Sequence, residues 1–231
     1  MAAKSAKAGK KKSAVRKTNV AKDADLATRV RTLERRLLEL EGNPLLALAD
    51  VLVLEKGTKC STVKVIGNLQ IVNGMGKTDT TNGCGNLIVG YNETSIASPS
   101  ARTGSHNIIL GRFHSHASYA CLLTGERNFA TSNAPSSCVV GGSESHVGAD
   151  LSVVVGGREN NANSAGCVIV GGEDNGANGA NFSVVVGGGQ NRTAAPASSI
   201  FGGGENTTNA QGSTILGGVN LTTTMPNQRI P

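Results

Sequence analysis

The sequence predicts a mainly β protein: a repetitive parallel β-solenoid preceded by a short parallel coiled coil. Three observations predict it. An aliphatic unit ending in glycine recurs about every 15 residues after residue 85, apolar residues fall at 4-3-4-3 spacing through residues 26–40, and the composition disfavours a conventional globular core. Glycine accounts for 31 of 231 residues, aromatics for 3 %, and tryptophan is absent, so a core of large side chains is hard to build. The glycines have no collagen period. A stacked repeat uses such a composition, because each coil buries a few Val and Ile against the next while glycine turns the corners.

Residues 1–22 read as a disordered basic tail. Lys4, Lys7, Lys10, Lys11, Lys12, Arg16, Lys17 and Lys22 stand there without an acid, so the tail carries +8 and the remainder −2 of the net +6. A Lys/Ala/Ser-rich segment has almost nothing to bury. It is the candidate element for binding nucleic acid or another polyanion; the plainer reading is a solvated arm, or a tether to a neighbouring subunit or particle. No apolar run of signal-peptide or membrane-span type is recognised, which predicts synthesis in the cytoplasm and release by lysis or inside a larger particle such as a virion. Cys60, Cys84, Cys121, Cys138 and Cys167 lack metal-ligand spacing, which fits reduced, buried thiols.

Residues 23–42 predict a trimeric coiled coil. Leu26, Val30, Leu33, Leu37 and Leu40 form an a/d seam. With Val30 and Leu37 at a positions, Arg29 and Arg36 are g residues and Glu34 and Glu41 e residues, so parallel chains would pair Arg29 with Glu34 and Arg36 with Glu41. The Arg-apolar-x-x-apolar-Glu pattern occurs twice in register and resembles the trimerisation signature of short three-stranded coiled coils. The competing reading is one amphipathic surface helix with intrahelical ion pairs. Asp23 or Asp25 caps the start, and Gly42, Asn43 and Pro44 stop the helix. Residues 43–85 are a neck in which the apolar run 45–54 is buried among three chains.

Residues 86–220 carry the repeat, in units such as Ser152-Val-Val-Val-Gly156, Cys167-Val-Ile-Val-Gly171 and Ser183-Val-Val-Val-Gly187. A period near 15 suits one narrow solenoid coil per unit. Strand alternation sends Val153 and Val155 to one side and Val154 to the other, with Val168, Ile169 and Val170, then Val184, Val185 and Val186, following suit. Both sides are apolar, so both should be buried: one inside the coil, the other against neighbouring chains around a threefold axis. Paired glycines allow positive φ, and Asn160, Asn175, Asn191 and Asn206, each four residues after its glycine, are expected at the next corner in the left-handed region, where they also stack along the solenoid. Residues 221–231 read as a C-terminal tail.

Units such as Asn181-Phe-Ser-Val-Val-Val-Gly-Gly188 resemble the head repeats of trimeric autotransporter adhesins. Gly67-Asn-Leu-Gln-Ile-Val-Asn-Gly74, with Thr81-Asn-Gly-Cys-Gly-Asn-Leu-Ile-Val-Gly-Tyr-Asn-Glu93, resembles bacterial proteins of unassigned function that join a short coiled coil to such repeats. The resemblance spans roughly residues 60–220 and implies a trimeric left-handed β-roll. Unlike those adhesins, the chain shows no signal peptide or membrane-anchoring barrel, and its coiled coil comes before the β-roll. A fibre of a phage tail or tail-like particle, attached through its N-terminal region to a baseplate or other anchoring protein, reconciles these features.

The function expected is that of a non-enzymatic, homotrimeric structural or adhesive fibre that recognises a cell-surface glycan or protein. No cofactor and no catalytic constellation are expected. Asn73-Gly-Met-Gly-Lys77-Thr78 lacks the first glycine of a phosphate loop, since Ile71 stands there, and reads as a glycine-rich turn. His114 and His116 are polar surface residues or, gathered from three chains, a metal or anion site on the axis. Two other functions remain open: a polyanion-binding scaffold working through the tail, and a β-solenoid polysaccharide depolymerase. The latter needs two acids in a cleft, whereas Glu144, Glu159, Glu173, Asp174 and Glu205 stand beside turns.

Overall fold

The computed structural model describes residues 25–43, 48, 51–94 and 101–231, so the basic tail and most of the run 45–50 lie outside the described residues. The chain divides into two compact units, residues 1–69 and 70–231. Residues 70–85, expected in the neck, thus belong to the second unit.

In the first unit a helix spans residues 25–41. It ends where Gly42 N–H donates to Leu38 O at 3.0 Å and Asn43 N–H to Leu40 O at 2.9 Å. An antiparallel hairpin follows, pairing Leu52–Glu55 with Thr62–Val65 in the register Leu52↔Val65. Lys64 Nζ meets Glu55 Oε1 at 2.5 Å across it. Part of the expected neck is therefore a hairpin, formed because Leu-Val-Leu and Val-Lys-Val both prefer extended backbone.

The second unit is a parallel β-solenoid of about eight turns. Each turn gives one strand to a wide ten-stranded sheet and one to a narrow eight-stranded sheet. The wide sheet begins at Leu87–Val89 and ends at Arg229–Ile230; the narrow one runs from Ser115–His116 to Thr222–Thr223. Val153, Val154 and Val155 pair in register with Cys138, Val139 and Val140 on one side and with Val168, Ile169 and Val170 on the other. Val184, Val185 and Val186 continue the stack.

From Ile109 to Ile215 the second residue of each wide-sheet strand points inward, whereas Ile88, in the first strand, is exposed. Ile109, Leu123, Val139, Val154, Ile169, Val185, Ile200 and Ile215 are all fully buried. They share the interior with small residues of the narrow sheet, among them Ala130, Ala162, Ala177 and Thr208. One large layer against one small layer makes a narrow coil packed without large aromatics. Among the described residues the outer ones are covered only in part: Val153, Val168 and Val184 are half-buried, and Val155, Val170 and Val186 are exposed. The expected burial of both faces is thus met on one face only within a single chain.

The solenoid also continues past residue 220. Thr222–Thr223 pairs with Thr207–Thr208, and Arg229–Ile230 with Thr214–Ile215. The expected tail is a further coil, with Thr223 fully buried and Ile230 packed against the core. Its strand ends in Pro231 instead of glycine, so the repeat signature hides it.

Candidate functional site

At one corner of each coil up to Asn206 a buried side chain bonds to the next coil. Asn160 Oδ1 accepts from Asn175 N–H, Asn175 Oδ1 from Asn191 N–H, and Asn191 Oδ1 from Asn206 N–H, each at 3.1 Å. Asn206 Oδ1 accepts from Leu221 N–H at 2.9 Å. The amide nitrogens close the remaining gaps: Asn175 Nδ2 donates to Gly171 O at 3.4 Å and to Gly188 O at 3.1 Å. Each asparagine therefore satisfies backbone groups that a tight corner leaves unpaired. The left-handed residue is the one before it, a correction to the expectation. Glu159, Asp174, Gln190 and Glu205 have φ of 55°, 52°, 57° and 55°.

His114 occupies this corner in a coil nearer the N-terminus. Its N–H donates to Asn92 Oδ1 at 2.8 Å, and its Nδ1 accepts from Asn128 N–H at 3.2 Å. The ring proton must then sit on Nε2, 3.2 Å from Leu110 O. The imidazole is an asparagine substitute, acceptor on one side and donor on the other. Burial pulls its pKa below the usual value. His116, facing the interior opposite the aliphatic column, is 2 % exposed and has an Nδ1 without a hydrogen-bond partner. Burial, with the nearby Arg102 charge second, lowers its pKa to about 4. Neither histidine is the surface residue that the sequence suggested. Among the described residues no three His, Cys, Asp or Glu side chains gather to hold a metal.

The carboxylates of the expected turns stack on the same corner. Glu144, Glu159, Asp174 and Glu205 occupy its left-handed position, and Glu173 lies one residue earlier. Arginines meet several of them: Arg127 Nη1 lies 2.9 Å from Glu144 Oε1, Arg158 Nη1 3.1 Å from Glu159 Oε1, and Arg158 also pairs with Glu173. At another corner Cys121 and Cys167 take places held elsewhere by serine. Cys167 Sγ donates to Ala180 O at 2.9 Å just as Ser152 Oγ donates to Ser164 O at 2.8 Å. Burial raises both thiol pKa values. Cys138 is half-buried, whereas Cys60 and Cys84 are exposed, contrary to the expectation of five buried thiols. The turn 73–78 is organised by Asn73, whose Nδ2 bonds Thr80 and whose backbone N–H donates to His106 Nε2 at 3.3 Å.

Two apolar faces lie open. The third residue of the wide-sheet strands is apolar in almost every coil. Leu110, Val140, Val155, Val170, Val186, Phe201 and Leu216 are between 37 % and 57 % exposed. At the ordinary strand spacing this stripe is about 34 Å long. The helix leaves a second face: Leu26, Val30, Leu33, Leu37 and Leu40 are all exposed. Its Arg29, Glu34, Arg36 and Glu41 are exposed as well, and Arg35 forms an i,i+4 pair with Glu39 at 3.9 Å.

A groove that the sequence did not reveal crosses the first coils. It is shallow and open to solvent, with a volume of about 610 Å³, and Gly90, Gly111, Gly125 and Gly142 line it together with Tyr91, Glu93, Arg112 and Glu126. The signal for it was the 14-residue spacing between Gly111 and Gly125, shorter than its neighbours. Later coils carry an additional glycine, such as Gly156 before Gly157, that these two lack.

Taken together, the fold defines a parallel β-solenoid bonded along its length by a side-chain ladder. No protein-family model, curated protein or solved structure matches the chain. The solenoid therefore rests on the structure, and the likeness to adhesin heads on the repeat units alone. No helix among the described residues is long and apolar enough to cross a membrane.

Proposed function

We propose that the chain is the subunit of a non-enzymatic homotrimeric fibre, whose left-handed β-roll recognises a surface and whose N-terminal region anchors it to a larger particle. One observation carries the reading: among the described residues the apolar stripe of Val155, Val170 and Val186 stays exposed coil after coil. A contiguous exposed apolar stripe of this length marks an interaction surface. Two further copies of the chain are the occupants that the helix suggests. Its exposed seam has heptad spacing, with opposite charges at the e and g positions. A 17-residue helix of this kind is marginal alone and gains most of its stability from such packing. The basic tail then serves the attachment end. The arginine pairing of Glu144, Glu159 and Glu173 favours a structural role for these acids over a catalytic one.

Sedimentation equilibrium in reducing buffer tests the assembly. A mass near three times 23.5 kDa is expected for the native protein. The double variant Val155→Asp/Val170→Asp should keep its β circular dichroism but lose that mass or sediment with a much weaker association. A stable monomer of the native chain overturns the proposal.

A further inference from the structure

We propose that the groove lined by Gly90, Gly111, Gly125 and Gly142 is a binding site for a neutral oligosaccharide. The proposal deepens the recognition reading and rests on it for its biological setting, although one chain builds the whole groove. Among the described residues Tyr91 is 91 % exposed, and it lines the groove. An exposed ring on a shallow, glycine-lined groove offers a flat apolar face with a polar tip, which suits the C–H face of a pyranose.

The opposing polar groups are held in place before any ligand arrives. Arg112 Nη2 lies 2.9 Å from Glu126 Oε2, and its guanidinium sits 5.2 Å from the centroid of the Phe113 ring. Arg127 also packs on that ring, at 5.6 Å. Stacking and pairing fix a planar fork of donors beside a carboxylate acceptor, the geometry that vicinal hydroxyls require. The glycine lining is maintained for a separate reason. A side chain at Gly111 would run into Gly125 O and His114 Nε2, and one at Gly125 into the Gly142 carbonyl, so close stacking of these coils keeps the groove open. Glu93 and Glu126 against Arg112 leave the lining at a formal −1, which selects against sialylated or uronic-acid sugars.

The test uses the full-length protein on an array of immobilised neutral hexose and N-acetylhexosamine oligosaccharides with sialylated counterparts, followed by titration of the strongest neutral ligand in solution. Retention of a neutral member in preference to its sialylated form is expected. Tyr91→Ala should weaken its binding about ten-fold or more, Tyr91→Phe should stay within about three-fold, and Arg112→Ala should also weaken it about ten-fold. The exposed Phe182, remote in sequence, supplies the control Phe182→Ser, which should bind like the native protein. No neutral sugar retained, or Tyr91→Ala binding undiminished, overturns the proposal. Solution mass measured alongside separates the two readings: a monomer that binds the sugar removes the trimer and keeps the groove, and a trimer that binds none does the reverse.

Discussion

From Asn160 to Asn206 four successive coils place asparagine at the ladder corner, whereas the coils before them place Asn92, His114, Asn128 and Ser145 there. The bond from coil to coil survives every exchange, because each of these side chains presents an acceptor to the next backbone N–H. What changes is the rest of the satisfaction. Asparagine also donates twice to glycine carbonyls, His114 donates once to Leu110 O, and Ser145 donates only to Ser143 O, at 3.3 Å. An acceptor of suitable reach is thus enough to sustain the coil, and asparagine sustains it more completely. The less regular coils are also those that carry the groove, where a missing corner residue and a histidine are tolerated.

The largest effect should appear at the interior column, which the two regions share. Val154→Asp and Leu123→Asp each bury an unpaired charge at a fully enclosed site and should cost about 4 kcal/mol or more, enough to abolish folding as read by circular dichroism. A tolerated aspartate in the first coils alone would show that region to be loosely packed.

Next comes the ladder itself. Asn175→Ala removes one acceptor and a donor shared by two carbonyls, and should cost about 3 kcal/mol in chemical denaturation, against about 1 kcal/mol for Ser145→Ala. Equal losses would break the comparison.

Acid should separate the regions without mutation. His114 and His116 are held neutral, with folded pKa values below those of the unfolded chain. Between pH 6.5 and about 4 the unfolded chain therefore binds more protons, so stability present above pH 6.5 is lost as pH falls through that window. His116, whose pKa burial pushes down to about 4, should contribute to this loss across the whole window. At pH 5 the hydrogen-exchange protection factors, corrected for the intrinsic rate at that pH, should fall around Asn107–Ala130 and hold through Asn160–Asn206. His114→Asn should remove part of this sensitivity.

The smallest effects concern corner backbone. Gly156 has φ of 68° with free space beside it, so Gly156→Ala should cost about 1 kcal/mol. Gly157→Ala meets the Gly172 carbonyl oxygen and should cost clearly more. Glu159→Gly, which relaxes a φ of 55°, should raise the melting temperature slightly or leave it unchanged.

Much of this architecture was legible because the repeat states it many times over. The Val-Val-Val-Gly units gave the strand positions and parallel stacking, and Asn160, Asn175, Asn191 and Asn206 marked a corner. Their role was half legible: the period showed that asparagine was needed, but not that Glu159, Asp174, Gln190 and Glu205 would bear the left-handed backbone. His114 was opaque, since a histidine that imitates asparagine looks like any exposed histidine until its neighbours are known. Residues 221–231 were missed because Arg229-Ile230-Pro231 keeps the inward aliphatic residue and drops the glycine.

Period and composition were enough to dictate the solenoid, since a 15-residue repeat with one obligatory inward aliphatic residue and glycine corners has few other ways to bury its apolar surface. The heptad spacing of the helix is likewise written in the chain. Three-dimensional contacts were needed to settle which valine of each triplet faces inward, which residue bears the backbone strain, and that Tyr91, Arg112 and Glu126 share one groove. Alternation along a strand fixes that neighbours point to opposite faces, but the direction in which the coil closes chooses between them, and that choice is made by contacts about 15 residues away along the chain.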